Sequence, residues 1–347
     1  MVRVIKYALS RAKRSRLIQN LFEQPVDLSS YPVFREFTDS DQRTYKLYSG
    51  LRSKIKPGWE NVLKTYRSQL PADQNVIRQK VSNGRIMLEK FEPVIDTFSS
   101  GISGSRILEI GCHDGAFSYA LAEKGAKEVT GSEYSGYKID AVDSTGITTD
   151  KSDHINNELA ELRDKVSVYF DETSNVNFID DNICESGLDP DSYDIVCSID
   201  VFEHLTEPEK ALSNIARVLK KGGVSIHEYN PFMSLNGGHS LCTLDFLWGH
   251  VCLNEDDFVR YIKEIRPDEY EPAVSFYKNG LNRMTIEDMK RYCAQSGLEI
   301  LEMIKFTKEQ HLRMLKKETL NICKRNYPDL TAEDLVTPRI IVIFLKK

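Results

Sequence analysis

The sequence predicts an α/β fold of the nucleotide-binding kind, a sheet with helices on both faces. Three observations carry that prediction. The stretch Arg106-Ile107-Leu108-Glu109-Ile110-Gly111-Cys112-His113-Asp114-Gly115 reads as a buried strand running into a glycine-bearing turn. Glu133 follows Gly115 by eighteen residues, at the end of the next strand-like run. From there to the C-terminal end, strand-length apolar runs alternate with helix-period segments. Gly111 and Gly115 let the backbone pass close to a ligand, and the helix after them points its N-terminus at it. Glu133 sits where a carboxylate accepts hydrogen bonds from two ribose hydroxyls.

Composition narrows the class. The chain has 347 residues, 41% hydrophobic and 28% charged, with a formal net charge of −6, ordinary for a globular protein of one large domain or two. An acidic balance disfavours a nucleic-acid partner without excluding a local basic patch. The seven cysteines form no CxxC pair and no regular spacing. They read as buried thiols in a reducing compartment, which places the protein in the cytoplasm. No apolar run approaches the ~20 residues of a membrane span, and no signal-peptide core is present. The first 22 residues stand apart, with Arg3, Lys6, Arg11, Lys13, Arg14 and Arg16, no acid before Glu23, and an apolar stripe that includes Val4, Ile5, Leu9, Leu17 and Leu21. A basic surface helix docked on the domain is the first reading of this stretch. A peripheral membrane contact and a cleaved targeting peptide are the alternatives.

The elements follow in order. Residues 1–100 read as a mainly helical cap, with apolar residues at three- and four-residue spacing over Glu60–Tyr66 and Val76–Phe98, broken by Pro25, Pro32, Pro57 and Pro71. Ser99-Ser100-Gly101-Ile102-Ser103-Gly104 marks a boundary, and residues 101–347 form the α/β domain. Its strands are expected at Ile107–Ile110, Glu128–Ser132, Val176–Ile179 (preferred over Val166–Phe170), Asp194–Ile199, Val224–Tyr229, Leu298–Lys305 and Arg339–Leu345. Its helices are expected at Phe117–Lys124, around Ile155–Leu162, and at Pro208–Lys220, Thr285–Ser296 and Lys308–Lys324. Residues 230–283 interrupt the alternation and carry Gly237-Gly238-His239 and Trp248-Gly249-His250. A segment of that length reads as a lid or substrate platform.

These residues, taken together, resemble the class I S-adenosylmethionine-dependent methyltransferases, over roughly residues 104–305 plus the last strand. Leu108 to Gly115 is similar to the family's first motif, with His113 in place of the middle glycine. Tyr193-Asp194-Ile195-Val196 and Arg217-Val218-Leu219-Lys220-Lys221-Gly222-Gly223 are similar to its later motifs, with Lys221 where proline is usual. The resemblance implies a Rossmann-like seven-stranded sheet, an N-terminal helical extension and an inserted lid. It implies S-adenosylmethionine as cofactor, held by Glu109, Gly111, Cys112, Gly115, Glu133, Asp181, Asn182 and Ser198, with Asp181-Asn182 near the adenine amine.

A second constellation, Asp200-Val201-Phe202-Glu203-His204, resembles the divalent-metal site of small-RNA 2′-O-methyltransferases and ubiquinone-pathway O-methyltransferases. Asp200, one methylene shorter, replaces the usual glutamate. The resemblance implies Mg²⁺ or Mn²⁺ on Asp200, Glu203, His204 and His250. A hydrogen-bonded loop, with His204 packed near the cofactor, is the plainer alternative. For proton transfer the candidates are Glu228, at the end of its strand, together with His239 and His204.

The function expected from this reading is O-methylation of a hydroxylated small molecule, glycan or sugar, because a sugar hydroxyl is a poor nucleophile that needs a base or a metal. The alternatives are RNA ribose 2′-O-methylation and a non-catalytic cofactor-binding scaffold.

Overall fold

A computed structural model describes residues 25–61, 73–138 and 149–347. The basic segment 1–22 lies outside the described residues, as does most of the helix expected over Glu60–Tyr66. Among the described residues no helix is long and apolar enough to cross a membrane.

Seven strands make the main sheet: β3 (Arg106–Ile110), β4 (Glu128–Glu133), β5 (Val176–Asp180), β6 (Tyr193–Ile199), β7 (Leu219–Tyr229), β8 (Leu298–Lys305) and β9 (Ile340–Lys346). Their order across the sheet is β5-β4-β3-β6-β7-β9-β8. The five strands β5 to β7 pair in parallel, while β9 runs antiparallel to both neighbours, β7 and β8. Parallel pairing requires crossovers, and helices cover both faces of the sheet. That double cover is why β6 and β9 read as near-continuous apolar runs. The sequence preference for Val176–Ile179 over Val166–Phe170 holds: residues 149–167 form one helix, and Val176 pairs with Val129.

On one face, Phe91 and Ile95 of the Gln74–Phe98 helix pack with Ile107, Phe117 and Ile343. Gly84 makes that packing close, since a Cβ there would come within 2.6 Å of the Ala116 carbonyl. On the other face, Leu212 and Ile215 of the Pro208–Val218 helix meet Met289 and Phe344. The cap expected to be mainly helical also contains a β-hairpin, β1 (Val33–Thr38) paired antiparallel with β2 (Thr44–Tyr48). Of β1 only Phe37 is buried, and of β2 only Leu47, so the two-residue alternation that announces a strand is almost absent.

A separate core joins three distant stretches of chain. Phe37 and Leu47 of the hairpin, Phe232, Trp248, Phe258, Tyr261 and Tyr277 of the insertion, and Cys323, Leu330 and Leu335 of the C-terminal segment pack together. The buried indole N–H of Trp248 donates to the Leu335 carbonyl at 3.0 Å, and Tyr48 N donates to the Asp245 carbonyl at 2.9 Å. The helix expected over Lys308–Lys324 is two helices, Glu309–Met314 and Lys317–Asn326.

Candidate active site

The glycine turn after β3 opens a cavity of about 340 Å³ at the carboxyl ends of β3, β4, β5 and β6, within the size range of small-ligand sites. Gly111 has φ of +72°, and a Cβ there would meet Val201 Cγ2 at 2.4 Å. Both constraints demand glycine. His113, Glu133, Tyr134, Tyr137, Asp181, Asn182, Asp200 and His204 line the space. Glu133 accepts a hydrogen bond from His113 N at 2.8 Å, which fixes the carboxylate at the rim. Asp181 Oδ1 accepts from Gly187 N at 3.2 Å, while its buried Oδ2 has no partner. A buried acceptor left open is where an exocyclic amine would donate. The donor and acceptor set is compatible with S-adenosylmethionine, the cofactor of the family.

His204 of the cavity wall comes together with Glu203 and His239, one ligating atom from each lying within 4.8 Å of the others. Glu203 and His204 belong to the short turn of helix after β6, and His239 to the start of the insertion. Glu203 Oε1 accepts from Asn230 N at 3.1 Å. Its Oε2 and the His239 Nε2 are buried without hydrogen-bond partners. His204 Nδ1 lies 2.6 Å from the Gly280 carbonyl oxygen. That oxygen can only accept, so the proton is on Nδ1 and the Nε2 lone pair is free. Burial raises the Glu203 carboxyl to about 8, with Asp200 adding to the effect, and burial lowers both imidazoles. Two neutral imidazoles and one carboxyl with open electron pairs are a donor set for a divalent cation. The backbone is strained at the same place, since His113, Asp200 and His239 all have positive φ.

Other residues expected at the site lie elsewhere. His250 is buried inside the insertion, with Nε2 at 2.9 Å from the Phe232 carbonyl, so His239 and not His250 joins Glu203 and His204. Asp200 lines the cavity but turns toward Asn230 and Arg339, at 2.8 and 3.5 Å, and is outside the three-residue group. Glu228 is fully buried and paired with both Arg339 and Lys90, which removes it as a free base. Ser198 lies inside the sheet, 2.8 Å from His227 Nδ1, and does not reach the cavity. Glu109, Cys112 and Gly115 act one layer beneath it. Glu109 bonds Ser118, Cys112 Sγ receives Arg163 at 3.4 Å, and Gly115 sits against Phe178.

Two residues had no sequence signal. Tyr137 stands in the cavity wall with its hydroxyl 2.8 Å from His204 Nδ1. Lys56, from the segment after the hairpin, is half-buried, and burial lowers its ammonium. Asp200, Glu203, His204 and His239 all feel its charge. Neither sits in a motif, and Lys56 reaches the site only through tertiary folding.

The chain is 25% identical over 141 residues to a ubiquinone biosynthesis O-methyltransferase of Idiomarina loihiensis, covering 39% of this chain and 48% of that one. It is 27% identical over 136 residues to the protein of the same name from Aeromonas salmonicida, covering 38% and 48%. The chain thus spans about half the length of the curated relatives it matches. Among solved structures it is similar to an S-adenosylmethionine-dependent methyltransferase from Mesorhizobium loti, at 11% identity and a TM-score of 0.42, covering 73% of this chain and 95% of that one. A methyltransferase-domain family model matches residues 84–303. That span holds the glycine turn, Glu133 and the Glu203–His204–His239 cluster, and the chain belongs to the S-adenosylmethionine-dependent methyltransferase family.

Proposed function

We propose that this chain transfers a methyl group from S-adenosylmethionine to a hydroxyl oxygen of a small-molecule, sugar or glycan acceptor, with the acceptor bound against Glu203, His204 and His239. The observation that carries the reading is the position of Glu203 and His239 beside His204 of the cavity wall, with buried polar atoms on Glu203 and His239 that have no hydrogen-bond partner. The curated relatives, named as O-methyltransferases, support oxygen as the receiving atom.

Methyl transfer from a sulfonium is an in-line displacement, so the protein must hold the nucleophile at near-attack distance and manage one proton. Glu133 and Asp181 fix the cofactor at its ribose and adenine ends. His204, neutral and with its proton held on Nδ1 by the Gly280 carbonyl, presents a free Nε2. The insertion covers this end of the sheet and limits water. A divalent cation held by Glu203, His204 and His239 would supply Lewis-acid activation of the hydroxyl and would align a vicinal diol. Two imidazole nitrogens suit Mn²⁺ better than Mg²⁺, which prefers an all-oxygen shell.

The test is incubation of purified protein with labelled S-adenosylmethionine and fractionated metabolites, glycans and RNA, with and without EDTA. Label in a hydroxylated metabolite or glycan, lost in EDTA and restored by Mn²⁺, is the expected result. Label in RNA would move the acceptor to a ribose 2′-hydroxyl. Full activity in EDTA would remove the cation and leave His239 as the base.

A further inference from the structure

The cofactor cavity and the cation site share one wall. Tyr137 lies four residues after Glu133, on a turn held from below by Asp180. That carboxylate accepts from Ser135 N at 3.0 Å and from Ser135 Oγ at 2.6 Å. The Tyr137 side chain leaves the turn with its ring in the cavity wall and its hydroxyl 2.8 Å from His204 Nδ1 and 3.3 Å from the Gly280 carbonyl. Two donors converge on that one oxygen. Gly280 closes the last helix of the insertion, and Asn279 beside it also lines the cavity.

We infer that Tyr137 is a positioning residue that couples cofactor binding to cation binding. Its ring is part of the cofactor's wall, and its hydroxyl helps to hold the carbonyl that orients the His204 imidazole. This rests on the cation reading above. A ligand that orders the Tyr134–Tyr137 turn then removes freedom from His204 before the cation arrives, and the converse holds. Such coupling is reciprocal by thermodynamic necessity, with the same factor in both directions. Burial raises the Tyr137 phenol far above neutral pH, so it stays a donor throughout.

The experiment measures S-adenosylhomocysteine affinity by calorimetry with and without saturating Mn²⁺, in the natural protein and in Tyr137→Phe. Direct Mn²⁺ titrations give the reciprocal arm. In the natural protein Mn²⁺ should tighten S-adenosylhomocysteine about fivefold or more, and the nucleoside should tighten Mn²⁺ by the same factor. In Tyr137→Phe both ligands should still bind and the factor should fall to about one. The cycle compares factors, so any direct effect of the substitution on either affinity cancels. A factor near one in the natural protein, or an unchanged factor in Tyr137→Phe, overturns the inference while leaving the cation site standing. Absence of Mn²⁺ binding by the natural protein overturns the cation reading and this inference with it.

Discussion

Glu133 is bonded to the backbone of the glycine turn and faces the cavity, so its loss should act on cofactor binding alone. Glu133→Ala is expected to weaken S-adenosylmethionine binding by about 1.5–3 kcal/mol, the range for hydrogen bonds to a charged group, as read by calorimetry. The two histidines of the insertion separate in the same way. His239→Ala should raise the Mn²⁺ concentration needed for half-maximal activity and spare cofactor affinity. His250→Ala should lower the unfolding midpoint in urea and leave the Mn²⁺ requirement unchanged. If the two variants behaved in reverse, the cation would be on His250 after all. Glu203 and His204 were identified through the resemblance of Asp200-Val201-Phe202-Glu203-His204 to known divalent-metal sites. Sequence reasoning had both insertion histidines in view as well. Which of them reaches Glu203 depends on where residues 230–253 fold back, and spacing holds no record of that. Glu109 gives a pH test. Burial raises its carboxyl from 4.5 to about 8. The folded state then holds a proton that the unfolded state has released, so its contribution is present at low pH and is lost as pH rises from 4.5 to 8. The buried histidines 227, 250 and 311 are lowered to about 3 to 4, so their opposite contribution still grows through pH 6.5 and levels off about a unit above it. Glu203, also raised to about 8, acts in the same sense as Glu109. Between pH 6.5 and 8, Glu109→Gln should therefore remove on the order of 1–2 kcal/mol of stability loss relative to the natural protein, read in denaturant titrations at the two pH values.

At the scale of elements, the segment after the hairpin is tied to the insertion by one buried ion pair. Arg52 donates to both carboxylate oxygens of Glu269 at 2.8 Å and to the Ser240 carbonyl at 2.6 Å. Ser240 is the neighbour of His239, so this clamp also sets His239 beside Glu203 and His204. Arg52→Ala leaves Glu269 with only the longer Arg266 contact at 3.6 Å and should cost about 1–3 kcal/mol, measured by urea unfolding. A cost below 1 kcal/mol for the single variant would mean that the pair is solvated and the clamp is weak. The inner strands of the main sheet were legible because they are buried on both sides and bounded by glycine, proline or polar turns, whereas the edge strands β5 and β8, half-exposed along most of their length, were legible from their place in the alternation. The hairpin was not, because one buried side chain per strand leaves no period to detect.

Across the whole molecule, β9 lies between β7 and β8 and runs against both. Its residues Ile341 and Ile343 pack toward the helix Gln74–Phe98, while Val342 and Phe344 pack toward Pro208–Val218. Truncation before Ile340 would strip both faces of the sheet at once and expose two strand edges. Such a chain is expected in the insoluble fraction on expression, and a soluble, cofactor-binding truncation would contradict the sheet order. The methyltransferase topology was readable from the ordered motifs, because each marks a strand boundary: the glycine turn and Glu133 close β3 and β4, while residues 193–196 and 217–223 open β6 and β7. The acceptor end was readable only as an interruption of the pattern.

The core that joins the hairpin, the insertion and the C-terminal segment has a consequence for engineering. The insertion of this protein is not a cassette. A graft of residues 230–283 from a relative would carry Trp248 without Leu335, Tyr261 without Phe37 and Glu269 without Arg52. It should misfold unless the 33–59 and 309–336 segments travel with it. The unit of inheritance for a new acceptor is three stretches of chain together, which a swap experiment can test by comparing the single graft with the triple one.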